Sequence, residues 1–188
     1  MFEPSVEFVV TGDNVDAARS VAKLVGGVAY VDDRDVPALP FRTLVRAVTD
    51  RPELLDPAAG IGRYVVCARP KIVRSRSADT AGVVIQINAM VAAARLDHAQ
   101  ADNHWRDIHA PLALVHHAAM SQYTQLSITH TLAGPVYDGF ALCEFDSIDD
   151  LNERFFNDSQ SRKVIMADIA KFAHPQLSPR RLLARRLP

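Results

Sequence analysis

Residues 103–114, NHWRDIHAPLAL, are the stretch that decides which fold this chain can adopt. They hold the only tryptophan, two histidines, an arginine and a carboxylate, and His116 and His117 follow directly. The segment 82–90 before them is rich in β-branched residues, which is typical of a buried strand. We expect a helix from about residue 96 to 118 that kinks or restarts at Pro111, because proline supplies no backbone N–H and crowds the preceding turn.

The pattern W-R-x-x-H-A-P-L of residues 105–112, preceded by an aliphatic strand, resembles the EthD family of the dimeric α/β-barrel group. The resemblance spans residues 82–187 and includes the segments 137–140 (YDGF) and 145–147 (FDS). It implies a ferredoxin-like βαββαβ fold. It also implies an activity among the cofactor-free decarboxylases, dehydratases and cyclases that act on aromatic or polyketide-like molecules.

The order of elements predicts an α+β protein made of two ferredoxin-like modules in tandem with antiparallel sheets. Residues 81–188 read as strand–helix–strand–strand–helix–strand and form the EthD-like half. Residues 1–75 show similar kinds of elements without the motif, so we interpret them as a degenerate ferredoxin-like half. Within it, 41–48 reads as an amphipathic segment with Leu44, Val45 and Val48 inward, and 71–80 reads as the linker.

A single ferredoxin-like sheet leaves one apolar face uncovered, and that patch would be too large for a soluble monomer. The partner sheet could come from the first half of this chain or from a second copy. We therefore expect an intrachain pseudo-dimer or a homodimer. Either arrangement would create a concave, apolar pocket between sheet and helix for a small apolar molecule.

The composition excludes several other classes of protein. The formal net charge of −1 favours neither nucleic acid nor a membrane surface, and no run of about 18 apolar residues predicts a transmembrane helix. The N-terminus resembles no signal peptide, and the two cysteines, Cys67 and Cys143, suit a reducing cytoplasm. CxxC, HExxH and glycine-rich phosphate loops are missing from the sequence, so we expect neither a metal nor another cofactor.

Histidines on a partly apolar helix can move protons near neutral pH. His109 is the candidate base because it is the histidine of the H-x-P motif, and His104 and Tyr137 are the other candidate catalytic residues. The predicted ligand-binding residues share bulk, aromatic character or an imidazole; they are Trp105, Leu112, His116, Tyr123 and Phe145. We expect His109 to face one cavity lined by these aromatic and aliphatic residues together with Tyr137.

Plainer interpretations stand beside this one. His109 could bond a backbone carbonyl left unpaired by Pro111, and Trp105 could belong to the core. His116 and His117 could simply end the helix, where its dipole favours them.

The functional prediction is a cofactor-free lyase, cyclase or isomerase acting on a small aromatic or polycyclic molecule. The alternatives are a non-catalytic binding or accessory protein in a catabolic pathway, and a barrel-type monooxygenase, either cofactor-free or heme-dependent.

Overall fold

The computed structural model describes residues 3–73 and 82–188, and the first of these ranges supplies half of the sheet. Its elements are the strand β1 (Ser5–Gly12), the helix α1 (Val15–Val25), the strands β2 (Val28–Val31) and β3 (Thr43–Ala47), a 3₁₀ helix (Pro52–Ala58) and the strand β4 (Gly62–Val73). The predicted linker lies outside the described residues except for 71–73, which extend β4.

The second range follows the predicted order of strands and helices. It consists of β5 (Val84–Met90), α2 (His98–His104), a π-helical turn (Trp105–His109), α3 (Ala110–His116), β6 (Met120–Ala133), β7 (Gly139–Phe145), α4 (Ile148–Glu153), α5 (Ser159–Phe172) and β8 (Leu182–Arg186). Within the described ranges, no helix is both long and apolar enough to cross a membrane.

The eight strands form a closed barrel in the order β1-β3-β2-β8-β5-β7-β6-β4, and every neighbouring pair is antiparallel. Within each half, the first strand lies between the third and the fourth, and the second pairs with the third. The halves meet at two seams, β2 against β8 and β4 against β6. The first half therefore supplies the partner sheet that the second half needs, and the barrel closes within one chain.

Side chains of the described residues fill the barrel interior and cover the inner face of the sheet. Large residues from both halves pack there, including Tyr30, Leu44, Tyr64, Ile87 and Phe140. The outer face of the second half is covered by helices: Met90 of β5 packs with Trp105 and with Phe172 of α5. Both faces of the sheet thus carry apolar side chains, which explains the long hydrophobic runs of the sequence.

Local sequence signals set the ends of α1. The side chain of Asn14 accepts a hydrogen bond from the backbone N–H of Ala17, and Gly26 ends the helix at a φ of 64°. The interpretation of residues 41–48 needs a correction. They contain the strand β3, with Leu44 in the barrel and Val45 against α1, whereas Val48 is 70% exposed because the strand ends at Ala47.

Candidate functional site

The helix that carries the motif passes Pro111 through a π-helical turn. Asp97 begins α2 with a capping box, its carboxylate accepting from Gln100 N–H while the Gln100 side chain accepts from the Asp97 N–H. In the turn, Ala110 N–H donates to the carbonyl of Trp105, five residues back. The wider turn ends directly before Pro111, which lies in the first turn of α3, where its missing N–H costs little.

This turn changes which residues share a helix face. A straight α-helix would align His104, Ile108, Leu112 and Val115, but Ile108 is 50% exposed and Val115 is 65% exposed. A π-helical turn instead superimposes residues about five apart. His104 and His109, five apart, therefore point to the same side, towards α5.

The carboxylate of Asp168, on α5, lies within hydrogen-bond distance of both imidazoles. His104 Nε2 lies 3.0 Å from Asp168 Oδ1, and His109 Nδ1 lies 3.0 Å from Asp168 Oδ2. Asp168 is 2% exposed, and the ring of Phe172 contacts both imidazoles. An ionised carboxylate only accepts hydrogen bonds, so both histidines donate to it. His109 is then protonated at Nδ1 and carries its lone pair on Nε2.

The environment keeps His109 neutral and Asp168 ionised. Burial lowers the pKa of His109, and the hydrogen bond and charge of Asp168 only partly offset that effect. Burial alone would raise the pKa of Asp168, but the hydrogen bonds from His104 and His109 outweigh it, and the pKa lies below its ordinary value. A neutral imidazole oriented by a carboxylate is the form a general base requires.

Acidification from about pH 8 to about pH 5 is expected to destabilise the protein. Because the pKa of His109 lies below its ordinary 6.5, the unfolded state binds more protons as the pH falls through 6.5. The burial of His117 lowers its pKa and acts in the same window, while Asp168 adds a loss only below its ordinary 3.8. Urea unfolding at several pH values measures the free energy of unfolding, and His109→Gln should make that free energy less dependent on pH. An equally steep pH dependence in the variant would contradict this role of His109.

The other side of the π-helical turn faces the sheet, where a second cluster of buried polar side chains lies. Trp105 Nε1 donates to the hydroxyl of Tyr123 at 2.9 Å, and Gln125 Nε2 donates to the same hydroxyl at 3.1 Å and to the carbonyl of Trp105 at 2.9 Å. Arg69 of β4 forms a bidentate ion pair with Asp102 of α2, and its Cζ lies 5.9 Å from the centre of the Trp105 ring. The turn is therefore held between two polar clusters.

The expectation of one common cavity is wrong. Tyr137 lies inside the barrel against Tyr64 and Phe140, whereas Tyr123 and Phe145 lie on the outer face of the sheet. Tyr137, just before β7, packs inside the barrel, whereas His109 lies in the helical layer outside it, so the sheet separates the two side chains.

The remaining predicted residues also lie apart from one another. His116 Nδ1 lies 3.0 Å from the hydroxyl of Ser161, so His116 joins α3 to α5. Leu112 is half-buried, and Phe145 packs against Phe155. Of the predicted set, the structure brings together His104 with His109, and Trp105 with Tyr123.

Sequence reasoning missed four residues of these clusters: Arg69, Asp102, Gln125 and Asp168. A signal for Asp168 was available, because it falls between Ile165 and Phe172 on the apolar face of α5, where an unpaired carboxylate would be costly. Arg69 comes from the half that lacks the motif, and nothing in its local sequence predicts its place beside Trp105.

Two surface depressions lie in the first half, away from the histidines. One, of about 250 Å³, is lined by residues of β1, β4 and the 3₁₀ helix, and the other, of about 290 Å³, lies between α1 and the 3₁₀ helix. Across residues 3–73 and 82–188, no three histidine, cysteine or acidic side chains are arranged to hold a metal ion.

Comparison with known proteins identifies the motif-bearing half. The family model of the EthD domain matches residues 93–176, which confirms the resemblance seen in the sequence. The chain matches no curated protein.

Solved structures of similar fold cover the whole chain. A putative monooxygenase from Fusobacterium nucleatum is 10% identical with a TM-score of 0.56, over 100% of this chain and 94% of its own. An anthrone oxidase-like protein is 7% identical with a TM-score of 0.54, over 98% and 91%. A mutant chlorite dismutase from Candidatus Nitrospira defluvii is 14% identical with a TM-score of 0.51, over 98% and 92%. At these identities the likeness shows the fold alone, an antiparallel α/β barrel.

Proposed function

We propose that this protein is a cofactor-free lyase, cyclase or isomerase acting on a small aromatic or polycyclic molecule, and the match of residues 93–176 to the EthD family model supports this. His109 is its general base, Asp168 orients that base, and His104 is the second imidazole of the site. The observation that carries the proposal is the buried carboxylate of Asp168 shared by His104 and His109.

The first step is proton transfer from carbon. Nε2 of His109 takes a proton from the carbon next to a carbonyl, and the electron pair of that C–H bond moves to form the enolate. Asp168 stabilises the resulting imidazolium, as a carboxylate does in a histidine-based site. Return of the proton from His109 to another atom of the substrate gives isomerisation. Where the substrate carries a hydroxyl group β to the carbonyl, the enolate electrons expel that group and the proton on His109 converts it to water, which gives a lyase reaction. The chain's own residues supply every proton movement in this scheme.

Proton abstraction can be measured before the natural substrate is known. We expect the full chain to accelerate exchange of the protons next to the carbonyl of 1-tetralone, a bicyclic aromatic ketone, for solvent deuterium. General base catalysis by a positioned histidine contributes about 10²–10⁴-fold. Proton NMR in D₂O follows the loss of the signal against a buffer blank. Exchange no faster than in the blank, across tetralone and related aromatic ketones, would overturn the proposal.

Two other functions predict different outcomes of the same experiment. A binding or accessory protein, favoured by the 7% exposure of His109, would shift ligand signals without exchange. A barrel-type monooxygenase is supported by two proteins of similar fold, a putative monooxygenase and an anthrone oxidase-like protein. It would consume oxygen when given an anthrone, which an oxygen electrode detects.

We also infer that the barrel is a tandem of two ferredoxin-like modules, residues 1–75 and 81–188, acting as a pseudo-dimer in place of a homodimer. The support is the identical strand order of the two halves.

A reducing cytoplasm is the proposed location, since Cys67 and Cys143 are both free thiols.

A further inference from the structure

Two buried polar side chains face the π-helical turn from adjacent strands. Arg69 of β4 and Gln125 of β6 are paired across the seam between the two halves of the barrel. Arg69 is 7% exposed and Gln125 is fully buried. Both contact Trp105: Arg69 lies over its ring, and Gln125 bonds its carbonyl.

Each of these side chains has one polar atom without a partner. The two terminal nitrogens of Arg69 bond the carboxylate of Asp102, and Nε2 of Gln125 bonds Tyr123 and Trp105. Arg69 Nε and Gln125 Oε1 have no hydrogen-bond partner among the described residues. The amide of Gln125 cannot be reversed, because its nitrogen lies 2.9 Å from a carbonyl oxygen that only accepts.

Tyr123 adds a second free donor to the same hydrogen-bonded cluster. Its hydroxyl oxygen accepts from Trp105 Nε1 and from Gln125 Nε2, which leaves its own proton to donate. Burial raises the pKa of Tyr123, so the hydroxyl keeps that proton. The cluster thus offers two donors, Arg69 Nε–H and Tyr123 O–H, and one acceptor, Gln125 Oε1.

A buried donor or acceptor without a hydrogen-bond partner destabilises the folded state, because the group has lost its bonds to water. Native structures usually fill such positions with a ligand or an ordered water. The surroundings favour a ligand site: the register of β4 shifts between Pro70 and Ile72, beside Arg69, and the π-helical turn lies above. β-Bulges and π-helical turns both occur frequently at functional sites.

We propose that Arg69, Tyr123 and Gln125 bind the phenolic or enolic hydroxyl of an aromatic ligand. The hydroxyl oxygen accepts from Arg69 and Tyr123, and its proton is donated to Gln125. Because the charges of Arg69 and Asp102 cancel, the site favours a neutral hydroxyl over a carboxylate. The choice of an aromatic ligand rests on the proposed function, while the hydroxyl site itself rests on the unpaired atoms.

Trp105 provides a direct measurement, because the chain has no other tryptophan. Its indole N–H gives one signal in a ¹H–¹⁵N NMR spectrum, and that N–H bonds the hydroxyl of Tyr123. The full chain is titrated with phenol, toluene and benzoate, which share a ring and differ in the group offered to the site. We expect a saturable shift with phenol and affinities at least about tenfold weaker for toluene and benzoate, the range a lost buried hydrogen bond gives.

Variants distinguish binding through specific hydrogen-bond donors from a general effect of charge on phenol affinity. Arg69→Lys keeps the charge beside Asp102 but lacks the Nε donor, and should weaken phenol binding at least about tenfold. Tyr123→Phe removes the second donor and gives an independent reading if Arg69→Lys does not fold. Arg154→Gln is the control for charge, an exposed arginine at the end of α4 that pairs with Asp150 and lies outside this cluster, and it should leave phenol affinity unchanged.

Several results would overturn this inference. They are equal affinities for phenol and toluene, unchanged phenol affinity in folded Arg69→Lys and Tyr123→Phe, and no saturable shift at all, which would mean that only water bridges the unpaired atoms. Phenol binding without exchange of 1-tetralone would reject the proposed function and leave the hydroxyl site standing. Exchange of 1-tetralone without a preference for phenol would reject the hydroxyl site and leave the proposed function standing.

Discussion

Replacing His109 with alanine is expected to reduce the catalysed deuterium exchange of 1-tetralone to the buffer level, a loss of at least about a hundredfold. Nε2 of His109 carries the lone pair, because its Nδ1 proton is held by Asp168 at 3.0 Å. Alanine removes the base and leaves the carboxylate in place. Exchange rates from proton NMR, at matched protein concentration, measure the loss.

Asp168→Asn tests whether the carboxylate acts through His109. Asparagine keeps the shape of the side chain but cannot stabilise an imidazolium or hold both histidines as donors. The rate should fall by at least about tenfold, and the pKa of His109 should fall further, because the charge of Asp168 raises it. Histidine NMR titrations report that second change, which a purely structural role of Asp168 at the α3–α5 contact would not require.

His116→Gln is the matched control for both variants. His116 lies on the same helical segment and contacts α5 through Ser161, but it does not contact Asp168. Its exchange rate should equal that of the unchanged protein. If His109→Ala folds normally and exchanges protons as fast as the unchanged protein, His109 is not the base.

The elements of the second half could be predicted because each depends on neighbours in sequence. The β-branched run of β5 and the Asp97 cap specify local structure directly. The EthD resemblance rests on a contiguous motif and is confirmed. Closure of the barrel depends on pairings between strands that are distant in sequence, such as Cys67 with Ser127. The sequence therefore could not show whether the partner sheet comes from the first half of the chain or from a second copy.

The site was harder to predict because its geometry depends on one irregular turn. Counting at 100° per residue separates His104 from His109, and only the π-helical turn brings them to one carboxylate. Tyr137 was predicted to lie with His109 because it was expected on the sheet face beneath the helix, although the sheet separates the two residues. Residues that meet by tertiary contact, such as Arg69 and Asp102, carry no local signal.

Gly139→Ala is expected to destabilise the protein by about 3 kcal/mol, the upper part of the range for overpacking a core. A Cβ at this position would lie 2.5 Å from Cζ3 of Trp105 and 2.8 Å from the carbonyl oxygen of Leu126. Trp105 is 2% exposed and its indole N–H is bonded to Tyr123, so the ring cannot move aside without breaking that bond. Gly139, at the start of β7, therefore holds open the space in which the tryptophan lies.

Urea unfolding followed by circular dichroism measures the loss, and the indole N–H signal of Trp105 should move in the folded variant. Gly60→Ala is the control, since a Cβ there would have no heavy atom within 4 Å and the unfolding free energy should change little. Phenol affinity in Gly139→Ala should fall as well, because displacing the ring disturbs both Tyr123 and Gln125. Equal stability of the two variants would mean that Trp105 does not pack against β7 at Gly139, and the arrangement of the hydroxyl site would then need to be reconsidered.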